Sequence, residues 1–330
     1  MRIFRHLADV PDTLKGAVLA IGNFDGVHRG HQALIERARA LAEERNAPLA
    51  VMVFEPTPQE YFNPGAAPFR ITPFHAKARV LADLGVDALF APAFDASLAR
   101  QSAQDFVLAT LLGQLGVGAV VVGRDFRFGT GRTGDATLLA YMGAEEGFFT
   151  DVVDSVPAGV SGSEKISSTA IRQALAQGQV DVAAHWLGRP FAIEGTVEHG
   201  DKRGRTLGFP TANIGMGVYV RPAFGVYAVR VSLFGENGTL RRFDGVANLG
   251  VRPMYKTPTP LLEAFLFDFD EEIYGRRLSV ELVRHLRPEM KFASVDLLVE
   301  QMTRDKAMAR MVLADPAPAA SALDQNGAAC

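Results

Sequence analysis

Two histidines at the start of a predicted helix are the residues best placed to do chemistry. His28 and His31 stand three positions apart in the segment His28-Arg-Gly-His31, after an apolar run and a glycine-bearing turn. Residues three apart share a helix face, so both imidazoles can point at one ligand beside free N–H groups and the positive end of the helix dipole. Gly30 lets a bulky anion approach the backbone. The pattern favours a nucleotide-phosphate site over surface histidines or a structural metal pair, because zinc would need further ligands.

A second segment with phosphate-binding character is Ile166-Ser-Ser-Thr-Ala-Ile-Arg172. Ser168 and Thr169 could cap a short helix that ends at Gly178 and bind phosphate with the same geometry. Arg172, one turn further on, could make a bidentate phosphate contact. Taken alone, an ordinary capped helix explains this segment equally well; beside the histidine pair, phosphate binding becomes the favoured interpretation.

A third segment, Gly200–Asn213, combines three glycines with three basic residues, which is typical of a flexible anion cradle. Thr211 and Asn213 offer neutral oxygens two residues apart, on one side of an extended chain, and such oxygens suit Mg²⁺ bound to phosphate. The alternative is a basic surface hairpin. Further along, Glu263 interrupts an apolar predicted strand, so its carboxylate must either face solvent or act in chemistry.

The elements that position the first two segments alternate between strand and helix. Short apolar runs predict strands at Ala17–Ile21, Leu49–Phe54, Ala88–Ala91 and Ala119–Val122. Helical patterns lie between and after them, at His31–Glu43, Pro73–Leu84, Ala103–Leu115 and Asp135–Glu146. Such alternation predicts a parallel sheet covered by helices, with ligands at the carboxyl ends of the strands.

The pattern changes near Gly188-Arg-Pro190. Period-2 runs then predict antiparallel strands at Phe191–Val197, Gly225–Phe234, Thr239–Val246, Leu261–Phe269 and Leu278–Arg284, with a hairpin turn at Gly235–Gly238. Such a series predicts a small barrel. A helix is expected from Val295 to Val312 with Ser294 as its N-cap. The Ala- and Pro-rich tail from Ala314 has no periodicity, which predicts disorder.

Composition excludes several classes of function. The chain has 330 residues, which favours two domains, and a net charge of −3 from 34 basic and 37 acidic residues. This balance argues against a nucleic-acid binder and against an anionic-membrane binder. No apolar stretch approaches the ~20 residues of a membrane helix, and no signal-peptide core is visible. The single cysteine, Cys330, cannot form a disulfide within the chain, which favours the cytoplasm.

Nearly the whole sequence resembles one enzyme family, the bacterial bifunctional riboflavin kinase/FAD synthetases. The first half is similar to the family's adenylyltransferase module in the segments Gly22–His31, Phe54–Pro56, Phe94-Asp95, Val122–Gly129 and Ile166–Arg172. The second half is similar to its riboflavin kinase module in the segments Gly200–Asn213, Gly245–Pro253, Leu262-Glu263, Phe267–Asp270, Tyr274-Gly275 and Leu286–Phe292. Three departures occur: Thr57 and Lys165 stand where many members have histidine and arginine, and Arg252-Pro-Met-Tyr255 stands where members usually have Arg-Pro-Thr-Phe.

The resemblance implies the fold and its division. Residues 1–186 would form an α/β parallel-sheet, Rossmann-like nucleotidyltransferase domain that acts as FAD synthetase. Residues 187–312 would form a small antiparallel β-barrel riboflavin kinase domain with a C-terminal helix, and residues 313–330 a disordered tail. ATP is the expected co-substrate of both domains and Mg²⁺ the expected cofactor. Riboflavin, FMN and FAD are the other expected ligands, and the chain is compatible with a homo-oligomer.

The resemblance also implies roles for individual residues. In the first domain His28 and His31 would stabilise charge on the ATP phosphates, and Asp125 would lie near the flavin or ribityl-phosphate end of FMN. The other expected ATP contacts there are Gly22, Phe24, Gly30, Ser168, Thr169 and Arg172.

In the second domain Glu263 would accept the proton of the riboflavin 5′-hydroxyl. Thr211 and Asn213 would organise Mg²⁺ and ATP, together with the ATP contacts Gly200, Lys202, Gly204, Arg205, Gly208 and Pro210. Arg287 and Glu289 would shape the flavin pocket, although a surface ion pair explains them equally well.

Two other functions fit parts of the pattern. The first is an adenylyltransferase for another small phosphorylated acceptor, because the histidine motif reports ATP and not the acceptor; the Gly200–Asn213 segment argues against it. The second is a non-catalytic flavin-binding protein, against which the presence of His28, His31 and Glu263 argues. The favoured function is therefore a two-step conversion of riboflavin to FMN and of FMN to FAD.

Overall fold

The computed structural model describes residues 1–158, 165–200, 209–235, 239–251 and 260–314. Its contacts divide the chain into two units, one of Met1–Ala67 with Thr72–Ser168 and one of Pro68–Ile71 with Thr169–Cys330. This division comes earlier in the chain than the functional boundary at 186/187, which stays a prediction. No helix within the described ranges is long and apolar enough to cross a membrane.

The first unit contains a six-stranded parallel sheet with the order β1-β4-β3-β2-β5-β8. Its strands are β1 (Arg2–Phe4), β2 (Val18–Ile21), β3 (Leu49–Met52), β4 (Ala88–Phe90), β5 (Ala119–Gly123) and β8 (Phe149–Val153). The four strands predicted from apolar runs are confirmed and form the buried centre of the sheet. The two edge strands were missed, because β1 is short and mostly exposed and β8, with no fully buried residue, lacks a continuous apolar run.

Helices follow the strands of this sheet, as predicted for an α/β domain. They are α1 (Arg29–Arg45), α2 (Pro58–Phe62), α3 (Phe74–Asp83), α4 (Ala96–Arg100), α5 (Ala103–Asp105) with a π-helical continuation at Phe106–Gln114, and α6 (Ala136–Glu146). A two-stranded ribbon of β6 (Arg127–Phe128) and β7 (Gly134–Asp135) follows β5. Apolar side chains of the sheet pack on both of its faces, in two separate clusters.

The second unit contains Pro68–Ile71 and, from Thr169 onward, α7 (Ser168–Ala176) and α8 (Val180–Leu187), of which only α7 was predicted. A six-stranded antiparallel sheet follows in the order β10-β13-β12-β11-β14-β9. Its strands are β9 (Phe191–Thr196), β10 (Ala212–Gly215), β11 (Gly225–Phe234), β12 (Leu240–Val251), β13 (Pro260–Leu266) and β14 (Arg277–Arg287). The sheet curls so that its two edges meet where the Glu198 N–H donates to the Asn213 carbonyl (2.9 Å).

The last element is α9 (Val295–Ala314), which confirms the predicted C-terminal helix. The hydroxyl of Ser294 accepts a hydrogen bond from the Leu297 N–H (3.3 Å), as expected of an N-cap. The hairpin predicted at Gly235–Gly238 joins β11 to β12, which pair antiparallel, but residues 236–238 lie outside the described ranges. The tail predicted to be disordered also lies outside them beyond Ala314.

Candidate functional sites

The first candidate site, called here the turn site, is the segment Gly22–His31 between β2 and α1. Three residues of its turn adopt left-handed backbone conformations: Phe24 (φ 47°), Gly26 (φ 89°) and Val27 (φ 43°). A bulky or β-branched residue in this region costs about 1–3 kcal/mol and persists only where its surroundings hold it. The turn therefore stores backbone strain at the carboxyl end of a central strand, where parallel sheets bind ligands.

Side chains from distant parts of the first unit hold this turn in place. The Asp25 carboxylate accepts the Thr72 N–H (3.0 Å), and the Thr72 hydroxyl accepts the Gly26 N–H (2.7 Å). The Ser168 hydroxyl donates to the Asp25 carbonyl (2.8 Å). From α1, the Gln32 amide donates to the Val27 carbonyl (2.8 Å). These contacts explain how the turn keeps a conformation that its residues would not adopt alone.

The two histidines lie stacked at the mouth of α1. His28 is its N-cap, and its Nδ1 accepts the His31 N–H at 3.3 Å, which places the proton of a neutral imidazole on Nε2. The rings stack with centroids 3.6 Å apart and planes 17° apart. A Cβ on Gly30 would lie 3.2 Å from the His28 ring, so the absence of a side chain at Gly30 leaves room for this imidazole. The sequence prediction that both rings share one face agrees with this geometry.

The structure gives the other predicted ATP contacts of this domain surroundings that limit how their side chains could reach a ligand. The Phe24 side chain is fully buried in the core, so only its backbone can reach a ligand, and Gly22 lies against its ring. The only hydroxyl hydrogen of Ser168 is given to the Asp25 carbonyl, which turns this residue toward holding the turn. Thr169 and Arg172 belong to the second unit, and Arg172 Nε donates to the Phe69 carbonyl (2.8 Å).

Asp125 forms an ion pair that the sequence did not predict. Its carboxylate accepts a hydrogen bond from the ammonium of Lys165, one of the departures from the family pattern. Lys165 lowers the pKa of Asp125 through this hydrogen bond and the attraction of its charge. Both side chains are exposed (73% and 54%), so the pair stands at the surface, open to a ligand. Thr57, another departure, caps α2 in a reciprocal capping box with Glu60.

An aromatic cluster at the carboxyl ends of β3, β4 and β5 was missed in the sequence. Phe54 and Phe94 meet edge-to-face at 5.8 Å, and Tyr61 and Phe62 of α2 lie 5.4 and 5.8 Å from Phe94. Phe62 is 63% exposed. The available signal was a phenylalanine shortly after each strand, which a search for polar residues passes over. Further members of the cluster are Phe106, Phe126 and Phe128.

The second candidate site, called here the sheet cavity, is lined by a row of residues across five strands. Asn213 of β10 pairs with Glu263 of β13, which pairs with Asn248 of β12. Asn248 pairs in turn with Val226 of β11, and Val226 with Arg287 of β14. Residues directly opposite each other in antiparallel strands point to the same face, with Cβ atoms about 5 Å apart. The register therefore gathers Asn213, Glu263 and Arg287, which the sequence separates widely, and adds Asn248, which was not predicted.

This row borders a cavity of about 1350 Å³ within the second unit. A pocket for one drug-sized ligand measures about 300–1000 Å³, so the sheet cavity has room for more than one such molecule. Thr211, Pro210, Gly200 and Glu289 also line it, and the ligand contacts expected of them stay predictions. The predicted ATP contacts Lys202, Gly204, Arg205 and Gly208 lie outside the described residues, as does the segment 252–255.

Arg287 is held by the C-terminal helix. Its guanidinium donates to both carboxylate oxygens of Asp305 on α9 (2.7–3.1 Å), and Gln301 donates to the same carboxylate (2.9 Å). The Arg287 and Asp305 side chains are only 16% and 8% exposed. Arg287 therefore ties β14 to α9 at the wall of the cavity. Glu289 approaches so closely that a Cβ on Gly250 would overlap its carboxylate.

In comparisons with known proteins, each candidate site lies in a part of the chain that matches a known domain family. Residues 10–170 match the family described as FAD synthetase, and residues 187–313 match the family described as riboflavin kinase. The first match contains the turn site and Asp125, and the second contains every residue that lines the sheet cavity.

Relatives match over almost the full chain. A protein of Escherichia coli strain K12 named bifunctional riboflavin kinase/FMN adenylyltransferase is 44% identical, covering 94% of this chain and 96% of its own. A protein of the same name from Haemophilus influenzae is 41% identical over 94% and 98%. A crystal structure from Streptococcus pneumoniae, described as a macrolide-efflux protein, shares the fold with a TM-score of 0.81 and 32% identity, covering 93% of this chain and 98% of that one.

Proposed function

The chain belongs to the family of bifunctional riboflavin kinase/FMN adenylyltransferases, and we propose that its two reactions take place at the turn site and the sheet cavity described above. It phosphorylates riboflavin with ATP to FMN and transfers AMP from a second ATP to FMN, giving FAD. The assignment of residues to these steps rests chiefly on one observation: the sheet register sets Glu263 beside Asn213 on the wall of a cavity large enough for two ligands.

In the kinase step Glu263 is the proton acceptor. The 5′-hydroxyl oxygen of riboflavin attacks the γ-phosphorus of ATP, the bond from this phosphorus to the bridging oxygen breaks, and ADP leaves. The proton of the hydroxyl passes to the Glu263 carboxylate, which stands between Asn213 and Asn248 and is the one carboxylate in the row. Asn248, the direct neighbour of Glu263 on β12, is a further polar group at the reacting atoms.

Thr211 and Asn213 fit a magnesium ion that is already bound to phosphates. Both line the cavity, and each offers a neutral oxygen, the kind of hard ligand that Mg²⁺ takes beside phosphate oxygens and water. No cluster of three acidic, histidine or cysteine side chains that could hold a metal alone occurs in the described part of the chain. When bound, the ion would neutralise charge on the ATP phosphates.

In the adenylyl transfer step a phosphate oxygen of FMN attacks the α-phosphorus of ATP, and pyrophosphate leaves. This reaction needs aligned reactants and stabilised negative charge, with no covalent enzyme intermediate. His28 and His31 provide imidazoles at a helix N-terminus, where the dipole and the N–H groups also favour the phosphates. Ser168 holds the turn, and a contact of Thr169 and Arg172 with the triphosphate stays a prediction from the sequence.

The FMN of this step would lie between the aromatic cluster and Asp125. A flat flavin ring suits a surface of aromatic side chains, and Phe62 presents an exposed ring at the edge of the cluster. Asp125 and Lys165 are exposed after β5 and before α7, where the carboxylate can accept hydrogen bonds from ribityl hydroxyls and the ammonium can donate to the phosphate. The cytoplasmic location and the homo-oligomer stay predictions from the sequence.

One assay tests both activities. The purified protein is incubated with riboflavin, ATP and Mg²⁺, and the flavins are separated chromatographically. We expect FMN to appear first and FAD to follow, and FMN supplied without riboflavin to be converted to FAD. A folded protein that makes neither product would contradict the proposal, and omission of Mg²⁺ tests the metal in the same reaction.

A further inference from the structure

A buried lysine lies beneath the turn site and takes no part in the mechanism above. Lys77 of α3 is only 1% exposed. Its ammonium donates to the Asn23 carbonyl (2.8 Å) and lies 3.7 Å from a carboxylate oxygen of Glu55. Burying a charged group costs several kcal/mol unless it is paired and hydrogen-bonded. Lys77 meets both conditions, and its hydrogen-bond acceptor is a backbone carbonyl of the turn site, which indicates a role in that turn.

The contact fixes one peptide plane. In a trans peptide the C=O and the following N–H point in opposite directions, so holding the Asn23 carbonyl inward directs the Phe24 N–H away from Lys77. Within the described ranges this N–H meets no hydrogen-bond acceptor. The Phe24 side chain is buried, and its φ of 47° leaves little freedom to reorient the peptide. Phe24 thus presents a backbone donor in the strained turn that carries the two histidines.

We propose that Lys77 is a positioning residue for adenylyl transfer: it holds the Asn23 carbonyl so that the Phe24 N–H stays directed at the ATP phosphates. The inference rests on the proposed function of the turn site. A buried ammonium suits the task because a charged donor forms a stronger hydrogen bond than a neutral one. Glu55, which follows β3, balances the charge without taking the place of the carbonyl.

The test is Lys77→Met, which keeps the length of the side chain and removes the donor. We expect kcat for FMN adenylylation to fall about 10- to 100-fold, because a small misplacement of a group at the reaction centre has effects of this size. The KM for FMN and the rate of riboflavin phosphorylation should stay within twofold. Lys15→Met is the matched control, since Lys15 also donates to a backbone carbonyl, that of Gln114 (2.6 Å), and should leave both activities unchanged.

The double variant Lys77→Met/Glu55→Gln separates the hydrogen bond from the charge balance. If the defect of Lys77→Met came from an uncompensated Glu55, the double variant would return to within threefold of wild type, and the proposal would be overturned. Continued low FAD formation supports it. A folded Lys77→Met protein with normal FMN adenylylation also overturns the proposal for Lys77. Normal FAD formation by His28→Ala would instead overturn the proposed function of the turn site.

If Lys77→Met does not fold, the variant Lys77→Arg tests the proposal instead. Arginine keeps a charged donor on a long stem, so a folded Lys77→Arg protein should adenylylate FMN within tenfold of wild type. A folded Lys77→Arg protein that is slower than this would contradict the proposal. Folding of the variants is checked by circular dichroism and thermal unfolding.

Discussion

The turn site and the sheet cavity position their groups by different means. The turn site is a short strained backbone segment with three left-handed residues. Side chains hold it by hydrogen bonds to backbone carbonyls and an N–H group of the turn. The sheet cavity is built from side chains in regular strands, where the register alone sets Asn213, Glu263 and Asn248 in a row. The first arrangement fixes donors around phosphates; the second leaves open volume between polar groups.

The difference suits the two reactions. Transfer of AMP requires donors directed at one phosphate chain, and a turn at a helix N-terminus provides these from the backbone. The kinase reaction needs a base beside a hydroxyl and space for both a nucleotide and a flavin, which a curled sheet can enclose. Substitutions in the two regions should therefore separate the two activities cleanly, and the predictions below run from the largest expected effect to the smallest.

Removing the carboxylate of Glu263 should give the largest effect. We expect Glu263→Gln and Glu263→Ala to lower riboflavin phosphorylation by about 10²- to 10⁴-fold, because the general base is lost. Conversion of supplied FMN to FAD should stay within twofold. The measurement is the separate rate of each step with riboflavin or FMN as substrate, and Glu300→Gln on the exposed face of α9 is the control. Loss of both activities in a folded variant would show that the two regions are not independent.

Replacing His28 should have the opposite effect: loss of FMN adenylylation with riboflavin phosphorylation retained. We expect His28→Ala to lower FAD formation by about 10²- to 10³-fold through lost stabilisation of phosphate charge, while FMN formation continues. The lost N-cap contact to His31 should cost a further ~1 kcal/mol of unfolding free energy. His75→Ala, an exposed histidine on α3, controls for general effects. A variant that accumulates FAD at the normal rate would remove the turn site from the adenylyl transfer step.

The turn site and the sheet cavity also differ in how many of their residues could be predicted from the sequence. The turn site was predictable because its residues are adjacent, so the spacing of His28 and His31 already places them on one helix face. The hydrogen bonds from Thr72 and Lys77 to this turn were not predictable, because α3 and the residues just before it reach the turn only through the tertiary fold. In the sheet cavity Glu263 was found by its polarity within an apolar strand. Asn248 was missed because only the register of β12 against β13 sets it beside Glu263.

Arg287 shows the limit of assigning roles by residue type. The sequence suggested a flavin contact or a surface ion pair, and the structure gives its guanidinium a mostly buried partner, Asp305 of α9. We expect Asp305→Ala to lower the free energy of unfolding by about 3 kcal/mol, because it leaves a buried charge without its partner. The KM for riboflavin should rise and FMN adenylylation should not change. Thermal unfolding and the two separate rates test this, and an unchanged stability would contradict a structural role for the pair.

The exposed pair of Asp125 and Lys165 should behave in the opposite way. Because exposed ion pairs contribute about 0–1 kcal/mol, Asp125→Asn should leave thermal unfolding almost unchanged. It should instead raise the KM for FMN in the adenylyl transfer step severalfold, with riboflavin phosphorylation unaffected. Lys165 lowers the pKa of Asp125, so this carboxylate stays ionised at neutral pH, and the ratio of KM values between variant and wild type should not change between pH 6 and 8. A KM for FMN equal to that of wild type would contradict a contact between Asp125 and the ribityl chain of FMN. A loss of stability as large as that expected for Asp305→Ala would show that the exposed pair contributes as much as the buried one.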